Sequence, residues 1–437
     1  MSLLLKATFT LTPHIANGLA KGIYVLCGSL IRDTATNNIL GFLRGTSPTP
    51  KSSPNNVLNL IVSGANLLTS GANIAVSAKG FSNVHQRLDK GFGDINQQLG
   101  NIENQIQGIA RPMQISPELL QITTAASVLN LGVSLMSFAV ISQRLNEIEN
   151  QLKQAAELLN QINRKIDLSF YANFRAGIEL ATNAFTMTRI ENRRSSALQA
   201  INRFLEAEHI YKDYTVNELT QKSQIIDKYI LTLSLAYIAE ARCHLELEEH
   251  ETALRRFQEG AKFIRLLLKK YIEIMLTSNP AAYLHPQLKD HINLHKLTKI
   301  YQWIDPNLDE NIVFEMQREN MFKLAQNHDE WLSSLPSAIV DRSEIKWGLF
   351  GGNPTPLTGR FEKEAYKRLP QVFEVMESMI ETNRRFESYQ TEVQAISQLG
   401  ISFHDWLKLT PSTEVKPEGA ELMYIIPSKP LDLQPSI

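Results

Sequence analysis

Val57-Leu58-Asn59-Leu60-Ile61-Val62-Ser63 and Val128-Leu129-Asn130-Leu131-Gly132-Val133-Ser134 are near-copies, each inside a long charge-free run that leads into heptad-patterned sequence. In the first run the unit recurs in place over residues 59–65, 66–72 and 73–79. On a helix, that seven-residue spacing puts Asn59, Asn66 and Asn73 beside Ser63, Ser70 and Ser77 in one narrow polar stripe, with leucine, valine and small residues over the rest. The pattern predicts a helix that packs all round and keeps a single polar seam. What it packs against, lipid or protein, decides the function.

Both runs adjoin a heptad seam. In residues 81–109, Leu88, Ile95, Ile102 and Ile109 form one column and Phe92, Leu99 and Ile106 the other. Gly91, Gly93, Gly100 and Gly108 interrupt it, each costing about 1 kcal/mol relative to alanine in a helix interior, so this arm is expected to bend or open locally. Arg111-Pro112 and Ser116-Pro117 break the helix, and Ser116 is the expected N-cap of the next, predicted over residues 119–143. Leu119, Leu120, Ile122, Val128, Leu131, Val133, Leu135 and Phe138 make this second run the more apolar. Its seam is free of glycine, with Ile141, Ile148, Ala155 and Ile162 in one column and Leu145, Leu152, Leu159 and Ile166 in the other. A turn at 111–117 would fold 57–109 and 118–168 into an antiparallel hairpin of roughly 75–80 Å.

Composition narrows the function classes. Across 437 residues, 44 basic side chains balance 45 acidic ones, which leaves no electrostatic footprint for nucleic acid. Two cysteines, Cys27 and Cys243, stand in segments of different character, a pattern of a reducing compartment and not of a disulfide scaffold. Lys6 and Pro13 interrupt the apolar start, so no secretion signal is expected and the chain is read as cytoplasmic when made, with recruitment to a membrane as an option.

The expected fold class is mainly α: an elongated helical bundle with a long coiled-coil hairpin carrying two weakly apolar runs, plus a small N-terminal β-hairpin-like segment. Residues 1–53 are read as that small segment and a linker, with strands at Tyr24-Val25-Leu26, Ser29-Leu30-Ile31 and 39–43 and a turn near Asn37-Asn38. Residues 54–168 form the coiled-coil hairpin, 169–345 a helical bundle, and 346–437 a Gly/Pro loop, a last long helix and an extended tail. Within the bundle, helices are expected over 170–214, in two stretches of 218–275 broken near 248–251, and over 310–335. Gly400 is the predicted stop of the last helix, 361–399. Tyr237, Ala241, Ala253, Phe257, Gly260 and Ala261 partly resemble the spacing of a tetratricopeptide helical hairpin, which makes 225–275 a candidate seat for a peptide or protein partner.

No catalytic or cofactor motif stands out. His291 and His295 are four apart, near His285 and Asp290, yet Ile292 occupies the place where a zinc-protease helix needs glutamate, so a solvated face is expected. His244 and His250 among Glu246, Glu248 and Glu249 are read alike. The 351–360 loop lacks the Gly-Lys-Ser/Thr ending of a phosphate loop. Neither an enzyme nor a cofactor or metal is therefore expected.

The order of amphipathic coiled coil, weakly apolar helix with glycine and serine, and long helical bundle resembles the architecture of α-helical pore-forming toxins and membrane-disrupting effectors over residues 57–275. That resemblance implies a sheltered element released into a bilayer on a trigger, with Asn59, Asn66, Asn73, Ser63 and Ser70 lining helix contacts and the second run, Leu119 to Ile141, entering first. The alternative is a soluble helical scaffold or adaptor that self-associates through the seams Leu88, Ile95, Leu99, Ile102 and Ile106, and Leu145, Ile148, Leu152, Leu159 and Ile162.

Overall fold

The computed structural model describes residues 5–10, 13–45, 119–124, 132–133, 136–160, 169–340, 357–409, 422–425 and 431. The fold is mainly α, with helices packed in a bundle and a small sheet that holds the N-terminal segment.

The hairpin reading of the N-terminal segment holds. Strands β1 (Leu5–Thr10), β2 (Tyr24–Cys27), β3 (Leu30–Asp33) and β4 (Ile39–Gly45) enclose helix α1 (Pro13–Ala20), and β2–β3–β4 is an antiparallel meander. Its second turn is built from local polar chemistry. Asp33 accepts backbone N–H bonds from Ala35 and Thr36 at 2.9 and 2.8 Å, which hold its carboxyl below the usual range, and Asn37 takes the left-handed φ of +63°. At the first turn Gly28 has φ +58°, and an added Cβ would lie 2.8 Å from Ser388 Oγ; the sheet approaches the bundle here.

The sheet is larger than three strands. Its order is β2-β3-β4-β6-β1-β5, where β5 is Leu119–Thr124 and β6 is Leu422–Ile425. Two expectations are corrected here. Leu119, Leu120 and Ile122, expected on a helix, lie in β5, antiparallel to β1 from Leu5↔Thr124 to Thr10↔Leu119. The stretch lacks charge, but its Ile-Thr-Thr end is β-branched and favours a pleated partner over a helix. The continuous second arm of the antiparallel hairpin is thereby overturned, because the helix begins only at Phe138. The tail, expected to be extended, contributes β6 between β4 and β1.

Helix α2 (Phe138–Asn160) places its seam inward: Ile141, Leu145, Ile148 and Leu152 are buried against α3 (Ser169–Thr186) and a later helix, Ile226–Glu246. The described part of the second heptad seam is thus covered by the chain's own helices. Leu145 is fully buried, and Leu145→Ala is expected to cost about 2–5 kcal/mol, read as a lowered urea midpoint with an unchanged slope.

Helices α4 (Ile190–Thr220), α5 (Ile226–Glu246) and α6 (His250–Leu276) form the middle of the bundle. Almost every residue of α5 is buried, as expected of a helix apolar on all sides. On α6 the buried set Ala253, Phe257, Gly260, Ile264, Leu267, Leu268 and Tyr271 follows a one-face spacing. Two 3-10 turns, Pro280–Leu284 and Pro286–Leu288, start at the Asn279-Pro280 stop and lead to α7 (Leu294–Ile304).

The single helix expected over 310–335 is two, α8 (Glu310–Gln326) and α9 (His328–Ser334), parted at Asn327, a residue whose side chain competes for backbone bonds. Last come α10 (Leu357–Leu399), ended by Gly400 at φ +64°, and α11 (Phe403–Lys408), capped by Ser402. Buried apolar residues from Leu30 in the sheet through Trp406 in α11 make one continuous cluster.

Candidate functional site

Two buried polar assemblies stand out against this apolar interior. The first anchors the end of the second sequence run. Val133, fully buried, donates its backbone N–H to Glu392 of α10 at 2.8 Å, and its carbonyl accepts from Arg242 Nη1 of α5 at 3.1 Å. The other Glu392 oxygen accepts from Trp406 Nε1 at 2.7 Å. Arg242 also pairs with Glu246 at 2.7 Å and lies over the Phe403 ring at 4.5 Å. Glu248, in the α5–α6 break, accepts from Phe403 N–H at 2.8 Å, at the positive end of α11. A carboxylate as buried as Glu392 is stable only when donors replace its water, and here an indole and an amide do so.

The second assembly joins three helices. Arg256 of α6 donates from Nε to Glu240 of α5 and from Nη2 to Glu208 of α4, both at 2.6 Å, and pairs with Glu259 on its outer side. Glu208 and Glu240 are almost wholly buried. Lys212 Nζ is 3.7 Å from Glu208, His244 Nε2 is 3.8 Å from Glu240, and among the described residues Glu208 Oε1 accepts no hydrogen bond. Burial, with the facing Glu240 carboxylate, pushes the Glu208 carboxyl up to about 9 against the opposing pull of Arg256. At Glu240 the same burial is outweighed by His244, Glu208 and Arg256, and the carboxyl falls below its ordinary value. Burial likewise opposes the Arg256 charge, but the two carboxylates prevail and its pKa rises. The pair thus holds one proton at neutral pH, the usual outcome when two acids share one site.

The α5–α6 hairpin, read as a partner seat, is already filled. Tyr237, Ala241, Ala253, Phe257, Gly260 and Ala261 are all buried, and α10 supplies Phe386 and Tyr389, whose rings lie 5.6 and 5.9 Å from that of Phe257. An added Cβ on Gly260 would come within 3 Å of both Tyr237 and Phe386, which is why α10 can seat so closely. Among its buried apolar residues helix α10 also buries polar ones, at Thr382, Asn383, Arg385, Ser388, Gln390, Thr391 and Glu392. In a sequence such a stretch reads as a solvated face.

Of the sequence candidates, the structure places Val133 in the Glu392–Arg242 anchor, Phe138 stacked on Phe185, and Leu145, Ile148 and Leu152 in the core. Leu159 lies near the end of α2. Asn59, Asn66, Asn73, Ser63, Ser70, Leu88, Ile95, Leu99, Ile102, Ile106, Val128, Leu131, Leu135 and Ile162 lie outside the described residues. His291 and His295 do not share a helical turn, because α7 begins at Leu294; His295 Nδ1 is 3.2 Å from Glu310. Among the described residues no group of His, Cys, Asp and Glu could hold a metal, and no helix is long and apolar enough to cross a membrane. Sequence reading missed Glu208, Glu240 and Arg256. The signal was present in Ile238-Ala239-Glu240-Ala241, a charge inside an apolar helix that must find a partner.

No protein-family model matches the chain, and comparison with curated proteins and with solved structures gave no match.

Proposed function

We propose that the protein is a helical scaffold for protein–protein contact. The observation that carries this reading is α8. Of its residues only Val313 and Gln317 are buried, while Ile312, Phe314, Met316, Met321 and Phe322 stand in solvent, Phe322 at 67% exposure. Phe314 and Met321, seven residues apart, share one face with Phe322 beside them, and exposed apolar side chains grouped on one face mark interaction surfaces. Ile141, Leu145, Ile148 and Leu152 are buried inside the chain, so the contact proposed here runs through α8 and not through that part of the second seam.

A second reading, a membrane-active effector, rests on residues 57–78, which carry no charge over a length that meets the roughly 20 residues a span requires. Dye release from liposomes, with flotation of the purified full chain, separates the two. The scaffold reading expects neither release nor flotation, with or without limited proteolysis. Release at micromolar protein would replace it with the membrane reading.

A further inference from the structure

Helices α4, α5 and α6 each bring one ionic side chain to a common buried point, Glu208, Glu240 and Arg256, where two acids meet one base. That stoichiometry leaves one negative charge without a close, buried counterion. Arg256 reaches both carboxylates in one planar fork, so it cannot favour either without releasing the other.

We propose that this cluster is a proton-dependent staple that holds α4 against the α5–α6 hairpin, locked while the two carboxylates share a proton and loosened when that proton leaves. The groups that face Glu208 support the assignment. From its own helix comes Lys212, a quarter exposed at 3.7 Å. From α5 come Glu240, His244 and Tyr237, and from α6 Arg256 and Glu259. Glu259 is about half exposed and adds a further negative charge beside Arg256. Among the described residues Lys212 is the other cation within 4 Å of Glu208, and water screens it more than Arg256.

The sign of the pH effect follows from where the proton sits. The folded chain keeps a proton on Glu208 up to about pH 9, whereas the unfolded chain loses it near the ordinary glutamate value of 4.5. The contribution to stability is therefore complete below that ordinary value, declines as the pH rises from there, and is lost once the pH has passed the folded one. Glu240 works in the opposite sense and only at acid pH, where protonating it removes its bond to Arg256.

Urea unfolding of the full chain between pH 5.5 and 9 tests this, comparing wild type with Glu208→Gln, an isostere of the protonated acid. The ratio of the wild-type unfolding constant to that of Glu208→Gln is expected to rise with pH, by up to about tenfold per unit. Parallel profiles would overturn the proposal, as would a Glu208→Gln chain that does not fold, because the locked state is the one it imitates. Amide exchange in the wild type supplies a second measure. Corrected for intrinsic rate, protection of the α4 amides should fall with rising pH ahead of those in α10; an equal fall in both would count against the staple.

Discussion

Replacing Arg256 with methionine is expected to destabilise the protein by about 3–5 kcal/mol at neutral pH. Methionine keeps much of the aliphatic stem but removes the guanidinium that lies over Tyr237 and with it both 2.6 Å bonds, leaving two acids in a buried space. Glu208 is already neutral at pH 7, so the larger share of the loss comes from Glu240, which is ionised there. The defect should shrink as the pH falls toward 4, where both acids can take up protons. Urea midpoints of wild type and Arg256→Met across that range measure it. A triple replacement by apolar residues, Glu208→Leu with Glu240→Leu and Arg256→Met, should recover most of the lost stability, since a buried ion cluster exchanged whole for hydrocarbon is often close to neutral. A triple variant as unstable as the single one would mean that packing of the arginine stem, and not charge, sets the cost.

The contrast between that cluster and the apolar core shows which parts of the fold a sequence discloses. Tyr24 to Leu43 was legible as a hairpin because each element is local: runs of β-formers and a turn near Asn37, which takes the left-handed φ while Asp33 accepts the turn's own backbone bonds. The end of α10 at Gly400 and the break between α5 and α6 near Glu248 were legible for the same reason. Leu119 to Thr124 was not. Its strand character depends on pairing with residues 5–10, more than a hundred positions away, and the absence of charge fits helix and strand equally well.

Helix α10 misleads in the opposite direction. Its polar residues suggest solvent, yet Ser388 meets Ser29 of the sheet at 3.1 Å and Glu392 meets Val133 and Trp406. Burial of such polar residues is tolerable only where neighbours supply donors and acceptors, and Ser29 and Val133 do so from 359 and 259 residues away. The candidate assemblies were hidden by the same long range, since Glu208, Glu240 and Arg256 share no spacing that a motif could capture. Only Glu240 was exposed to inference, through its apolar surroundings.

Val133→Asp carries the other large expected effect, and it bears on function. Residue 133 is fully exposed to neither water nor lipid in the folded chain; it is buried, with its N–H 2.8 Å from the Glu392 carboxylate. A new carboxylate there would be desolvated and would face a like charge already committed to Trp406, with Arg242 held by Glu246 and by the Val133 carbonyl. The expected cost is on the order of 3–5 kcal/mol. Loss of near-UV circular dichroism from Trp406 should accompany a lowered thermal midpoint, and a variant with a wild-type midpoint would disprove the anchoring of residue 133. Because this substitution is expected to unfold the body whatever the function, it cannot report on membranes. Asn66→Asp can: it places a charge in the polar stripe of the first run, where insertion would make it costly. If wild type releases dye and a folded Asn66→Asp chain does not, the first run is the membrane element. If neither releases dye, the uncharged run is better explained by a protein surface, the kind of contact that the exposed apolar side chains of α8 also invite.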